Sequence, residues 1–160
     1  SGMVTVTGGK WTTYREMAEQ AIDNAAFVAT LPKKECVTAS LKIHGYRQNV
    51  NENEKYSQYG TDALMISDIE RNDPSQKNLL HPDLPYTLAE ITHIINHEMV
   101  CTIEDVLSRR TRALVINARA ALASAPKVAS MMAVDLKKDD LWVKSQLTDF
   151  EKLAHRYMIT

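Results

Sequence analysis

Three groups of residues in this 160-residue chain combine types and spacings that could do chemistry. The first is Gly8-Gly9-Lys10-Trp11-Thr12-Thr13-Tyr14-Arg15, where the β-prone run Met3-Val4-Thr5-Val6-Thr7 meets two glycines and a lysine. Glycines let a ligand approach the backbone closely, and the first amides of a following helix are unpaired donors with partial positive charge. A lysine adds a full charge. Two unit charges 4 Å apart interact by about 4 kcal/mol at an effective dielectric of ~20, enough to matter for an anion such as a phosphate. The bland alternative is a plain strand-to-helix turn with a solvated lysine, and the triplet alone does not separate the two. Walker A spacing is absent, which excludes a nucleotide-triphosphate loop.

The second group is His93-Ile94-Ile95-Asn96-His97-Glu98, with two histidines on one helical face at a spacing that can bind zinc. No third ligand is evident and the glutamate does not follow the first histidine, so packing or surface chemistry is expected and no metal is assigned. The third is Arg109-Arg110-Thr111-Arg112, with Arg119 two turns on. On a helix these arginines point in several directions, and Asp105 stands i, i+4 to Arg109. An ion-pair network that holds a half-buried helix is expected before a phosphate grip. There is no defensible nucleophile arrangement or carboxylate pair.

The elements that must position these groups follow from periodicity. From Thr13, the residues Tyr14, Met17, Ala18, Ala21, Ile22 and Ala25 fall on one helical stripe, and Thr13 with Glu16 fits a capping box. Pro32 ends the pattern. Val37 to Ile43 alternates as a second short extended segment before His44-Gly45. Residues 47–57 read as a polar surface loop with one helical turn, and Gly60-Thr61-Asp62 can cap a helix over Ala63 to Arg71. Residues 72–85 hold three prolines and form a connector.

Beyond that the chain is helical nearly throughout. One helix is expected over Thr87 to Met99. Thr102-Ile103-Glu104-Asp105 opens another that runs to about Leu122, with its acids where the helix dipole favours them. Ser124-Ala125-Pro126 restarts a helix to about Val134. Asp139-Asp140 starts the last, with Val143, Leu147, Phe150, Ala154 and Tyr157 as its apolar face. The fold class is mainly α, a small helical bundle preceded by a short strand–turn–helix segment. Three regions are expected: 1–30, 31–85 as a connecting segment, and 86–160 as the helical domain.

Composition sets the outer bounds. A 44% hydrophobic, 24% charged chain of this length can bury a real core. A net charge of -1 gives no reason to expect nucleic acid. Cys36 and Cys101 sit in no metal or redox spacing and read as reduced thiols of a cytosolic-type compartment. No apolar run spans a bilayer, and the N-terminus lacks the basic and apolar blocks of a signal peptide.

With these residues in place, a resemblance is visible. VTVTGGKWTTYREMAEQAID resembles the stretch that closes the flavin domain of FAD-dependent, respiratory glycerol-3-phosphate dehydrogenases. The similarity runs on through Leu41 to Gly45. It is dense in PYTLAEITHIINHEMVCTIEDVLSRRTRALVINARAA, in KVASMMA and in the final FEKLAHRY. The resemblance implies the C-terminal part of such an enzyme, in which C2 of glycerol 3-phosphate gives a hydride to flavin N5 and dihydroxyacetone phosphate results. It places Gly8, Gly9 and the segment through Thr12 near the pyrimidine edge of the flavin. Lys10 would stabilise negative charge on the reduced ring or help hold the substrate phosphate. Residues 1–30 would then be the end of the FAD-binding domain.

The GxGxxG-bearing unit of that family is not supplied by this chain, so the chain is expected neither to hold FAD tightly nor to turn over substrate alone. Implied partners are the upstream FAD-binding domain of the same protein, glycerol 3-phosphate, and a quinone or other electron acceptor, with self-association left open. The expected location is cytoplasmic, or peripheral at the inner face of the cytoplasmic membrane. Two other readings remain: a non-catalytic helical module that binds a partner through the arginine helix, and the C-terminal domain of a related FAD-dependent oxidase.

Overall fold

A computed structural model describes residues 2–158. The chain divides into two compact units, Ser1–Tyr46 and Arg47–Thr160.

In the first unit a 3-10 turn, Trp11–Thr13, leads into α1, Tyr14–Val28. The expected strand over residues 3–7 is irregular backbone instead. A β-prone run needs a neighbour for its ladder hydrogen bonds, and among the described residues there is only an isolated bridge, Leu79 to Thr87. Val37 to Ile43 likewise forms a turn, in which the amides of Ser40 and Leu41 both donate to the Val37 carbonyl at 3.3 and 3.1 Å. The expected Thr13–Glu16 capping box does not form, because the Thr13 hydroxyl turns back to accept from the Lys10 amide at 3.2 Å. Ahead of Pro32, α1 closes as the Leu31 amide donates to Ala26 at 2.9 Å, with Thr30 at φ 57°. No residue of α1 is buried, so its apolar stripe belongs to no core within the unit.

The second unit carries the core. A 3-10 turn, Ser57–Asp62, feeds α2, Ala63–Asn72. The helix α3, Leu88–His97, has the capping box its sequence asks for: the Glu90 amide donates to the Thr87 hydroxyl at 3.3 Å, and the Thr87 amide donates to the Glu90 carboxylate at 2.8 Å. Thr102 and Asp105 make the same reciprocal pair, at 3.2 and 2.9 Å.

From there the structure departs from one continuous helix to Leu122. Asp105–Arg110 is a π-helical turn, and Arg112 stands at φ 56°. A four-residue α4, Ala113–Ile116, precedes α5, Ala118–Asp135. Asn117 caps α5 by accepting from the Ala120 amide at 3.0 Å, so the helix starts there and not at Ser124. Pro126 lies inside α5 with its ring exposed. The last helix α6, Asp140–His155, is capped by Asp139, whose carboxylate accepts from the Trp142 amide at 2.8 Å.

The helices α5 and α6 pack together, with α3 and α4 against α5 and α2 against α3. Ile91, Ile94, Ile103, Leu107, Leu114, Val128, Met132 and Phe150 fill the centre. On α6, Phe150 and Ala154 are buried and Val143 and Leu147 half-buried, while Tyr157 lies beyond the helix end and is exposed.

Candidate functional site

Gly8 and Gly9 stand at φ 80° and 108°, in the left-handed region that L side chains avoid. A Cβ on Gly9 would overlap the Met17 sulfur and come within 2.6 Å of its terminal methyl. A Cβ on Gly8 would meet nothing within 4 Å. The backbone at Gly8 therefore faces open space, while the backbone at Gly9 is pressed against α1. Lys10 follows in extended conformation, and the Thr13 amide donates to its carbonyl at 3.0 Å to close the 3-10 turn.

Gly8, Gly9 and Lys10 line one shallow cleft of about 370 Å³ together with Trp11, Tyr14 and Met17. Thr12 is exposed on the same turn but does not line the cleft. Three of the four expected binding residues are thus brought together. The aromatic wall of Trp11 and Tyr14 was not foreseen, because Tyr14 was read only as part of an apolar helical stripe. Trp11 is 86% exposed, and its ring lies 5.2 Å from that of Tyr14. The spacing 11, 14, 17 on one helical face, directly after the lysine, is the signal that could have found it.

Further along α1, the Arg15 guanidinium pairs with Glu19 at 2.7 Å and donates to the Thr38 hydroxyl at 3.1 Å, tying the 34–43 segment to the helix.

The histidine pair behaves as packing. His93 is buried between the rings of Tyr59 and His97, at 5.6 and 4.9 Å, with Nε2 3.8 Å from an Asp62 carboxylate oxygen. Among the described residues no group of three or more histidines, cysteines and carboxylates could hold a metal ion.

Beside it lies a buried polar network with no part in the cleft. The Tyr56 hydroxyl donates to Glu70 at 2.5 Å and lies 3.0 Å from the Thr87 hydroxyl, and Lys55 pairs with Glu70 at 2.7 Å. Burial alone would raise the Glu70 carboxyl, but Lys55 and Tyr56 outweigh it and leave it below its ordinary value. The Tyr59 hydroxyl donates to Glu90 at 3.2 Å. Burial pushes the Glu90 carboxyl up, and burial beside that carboxyl pushes the Tyr59 phenol up strongly.

The arginines are held largely by their own neighbours. Arg109 pairs with Asp105 and Glu104, each at 2.6 Å, which includes the expected i, i+4 partner. Arg110 donates to the Glu98 carbonyl at 2.8 Å and stands 3.4 Å from its carboxylate. Arg112 is exposed.

A family model described as the C-terminal domain of alpha-glycerophosphate oxidase matches residues 6–141. The chain belongs to that family. Relatives named as glycerol-3-phosphate dehydrogenases match along the same length. A probable mitochondrial enzyme of Dictyostelium discoideum is 29% identical over 100% of this chain and 27% of its own. A probable mitochondrial enzyme of Caenorhabditis elegans is 32% identical over 92% of this chain and 23% of its own. The human mitochondrial enzyme is 31% identical over 99% of this chain and 24% of its own. No solved structure matches the chain.

This C-terminal domain spans about a quarter of the length of these curated relatives, which places an upstream domain in the same kind of protein. The mainly helical architecture is as the sequence implied. The cytoplasmic location is corrected by the same relatives, since all three are named as mitochondrial. No helix among the described residues is long and apolar enough to cross a membrane.

Proposed function

We propose that this domain completes an FAD-dependent glycerol-3-phosphate dehydrogenase, and that the Gly8-Gly9-Lys10 turn forms one wall of its flavin pocket. The family is flavin-dependent in general. The residues present fit such a group. Gly8 offers bare backbone to open space, Lys10 supplies an exposed ammonium, and Trp11 and Tyr14 add an aromatic flank to the same cleft. When bound, FAD supplies the hydride acceptor for C2 of glycerol 3-phosphate, whose oxidation gives dihydroxyacetone phosphate for eventual electron delivery to a quinone or other acceptor.

The work of this chain's own residues is electrostatic. The backbone of Gly8 and Gly9 takes left-handed dihedrals, with Gly9 against Met17 and Gly8 open, so a planar ligand can approach it closely. Lys10 holds negative charge at the ligand edge or on the substrate phosphate, an attraction that strengthens wherever water is excluded. Thr12, on the same turn, takes a flanking place in the pocket.

The observation that carries this reading is the left-handed glycine pair opening one cleft beside Lys10 in a chain that matches the family over residues 6–141. The test is Lys10→Met in the longer protein that includes the upstream domain. Flavin content or the rate with glycerol 3-phosphate is expected to fall at least tenfold. If both stay at the wild-type level, the assignment is wrong.

A further inference from the structure

The polar side chains between α2 and α3 form one connected line. It begins with half-exposed Lys55, whose ammonium pairs with Glu70 on α2 at 2.7 Å. The Tyr56 hydroxyl meets the same carboxylate oxygen at 2.5 Å and the Thr87 hydroxyl at 3.0 Å. Thr87 stands 3.3 Å from one oxygen of Glu90 on α3, and the Tyr59 hydroxyl reaches the other at 3.2 Å. Glu70, Tyr56, Thr87 and Glu90 are all buried. Two carboxyls on two helices are thus joined through two hydroxyls by three oxygen–oxygen contacts.

Three such contacts need three protons. The two hydroxyls supply one each, because a hydroxyl donates once while it accepts. The third must come from a carboxyl. With Glu90 neutral and Glu70 ionised, donation runs one way: Glu90 to Thr87, Thr87 to Tyr56, Tyr56 to Glu70. Every O–H then has an acceptor, and the negative charge rests beside Lys55. With both carboxyls ionised, Tyr56 turns to Glu70 and Thr87 to Glu90, which leaves no hydrogen between the two hydroxyls.

The groups around each carboxyl agree with this division. Burial works against charge at both, but at Glu70 the Lys55 ammonium and the Tyr56 hydroxyl outweigh it, and Lys77 adds to them. At Glu90 burial prevails over its donors and over Lys55. Tyr59 from the 57–62 turn faces Glu90, and Tyr86 from the segment before α3 stands near both. Glu98 acts on Tyr59 and is itself countered by Arg110, while Arg112 acts on Tyr86. His93 packs against the Tyr59 ring, with Asp62 beside it.

We infer that Glu70 and Glu90 hold a single proton between them across Tyr56 and Thr87, and that its loss to water unlatches residues 55–62 from α2 and α3. Tyr56 and Tyr59 of that segment lie in a small core with Ala63, Ile66, Ile69 and Ala89. Their hydroxyls are its polar ties to the two helices. Tyr56 stands at φ 66°, a left-handed conformation that costs an L residue energy and that these ties must hold. Loss of the proton removes one tie and puts a second charge into the buried line. The latch is therefore tightest in acid and loosens as pH rises through the value at which Glu90 ionises.

The experiment is carbon-13 NMR of the 160-residue chain, labelled at glutamate carboxyls and tyrosine rings and titrated from acid to alkaline pH. Glu70 is expected to titrate below Glu90, and the Tyr56 ring to inflect at both midpoints. Tyr56→Phe should raise the Glu70 midpoint, which loses a donor, and lower that of Glu90, because Thr87 is then free to donate to the ionised acid. A Tyr56 ring that follows Glu70 alone, or a Glu90 midpoint unmoved by Tyr56→Phe, overturns the shared proton. The latch is read from amide exchange over 57–62, corrected for the intrinsic effect of pH. Protection should fall about tenfold per pH unit between the ordinary carboxyl value and the Glu90 midpoint, and stay level in Glu90→Gln. Level protection in the wild type, or an equal fall in Glu90→Gln, overturns the latch. No readout involves flavin, so the outcome is independent of Lys10→Met.

Discussion

The Asp105 carboxylate accepts four hydrogen bonds in the second unit, and its removal gives a prediction with a defined sign. One carboxylate oxygen accepts from the Cys101 amide at 3.0 Å and from the Thr102 amide and hydroxyl, each at 2.9 Å, while the other meets Arg109 at 2.6 Å. Burial pushes this carboxyl up, but the four donors outweigh burial and hold it at about 2, against an ordinary 3.8. At roughly 1.4 kcal/mol per unit the difference is worth about 2 kcal/mol at neutral pH. Because the folded value lies below the unfolded one, the contribution is present above the unfolded value and lost as pH falls through the folded one. By about pH 3 roughly half of it is gone.

Asp105→Asn keeps the shape and removes the charge. Urea unfolding followed by far-ultraviolet circular dichroism at a series of pH values should show the variant less stable by about 2 kcal/mol near neutrality, with the two curves converging in acid. A constant gap between the curves from neutral pH down to about pH 2.5 would refute the reasoning, since it would mean that the charge contributes nothing beyond shape.

Glu90 predicts the opposite slope. Burial raises its folded value, so its stabilising share is present in acid and lost as pH rises through that value; Glu90→Gln should flatten this loss in the same unfolding series. Tyr56→Phe leaves Glu70 and Thr87 without the shared phenol and should cost about 1–3 kcal/mol in urea unfolding, with little change in m. Ile103→Ala opens a cavity at a fully buried position and should cost about 2–5 kcal/mol, seen as a lower thermal midpoint.

What the sequence made legible was local and self-contained. The helix starts at Thr87, Thr102 and Asp139 were readable, since each is closed by a cap within three residues, whereas the same spacing at Thr13 and Glu16 gave no cap. Asp105 with Arg109 was readable for the same reason. Strands 3–7 and 37–43 were expected from β-propensity and are absent, because a strand is a property of two paired segments and neither run pairs with another among the described residues. The break at Thr111-Arg112 and the continuation through Pro126 were not legible. A left-handed arginine carries no compositional mark, and a proline signals a helix start only if nothing upstream has already begun one. At the candidate site, Gly8, Gly9 and Lys10 were singled out from the turn, and their expected binding role came from the resemblance. Trp11 and Tyr14 were not, since an aromatic on an apolar stripe looks the same whether it faces a core or a ligand.

The π-helical turn at Asp105–Arg110 gives the second unit one place where chain length is elastic. A π-turn spends one more residue per hydrogen-bonded ring than an α-turn does. Loss of one residue there, for instance at half-exposed Ser108, can be absorbed by tightening the ring, so the helices on either side keep their register. The same loss within α5 rotates everything beyond it by about 100° and turns Val128 and Met132 out of the core. Length variation among related chains should therefore gather at this turn and avoid α5.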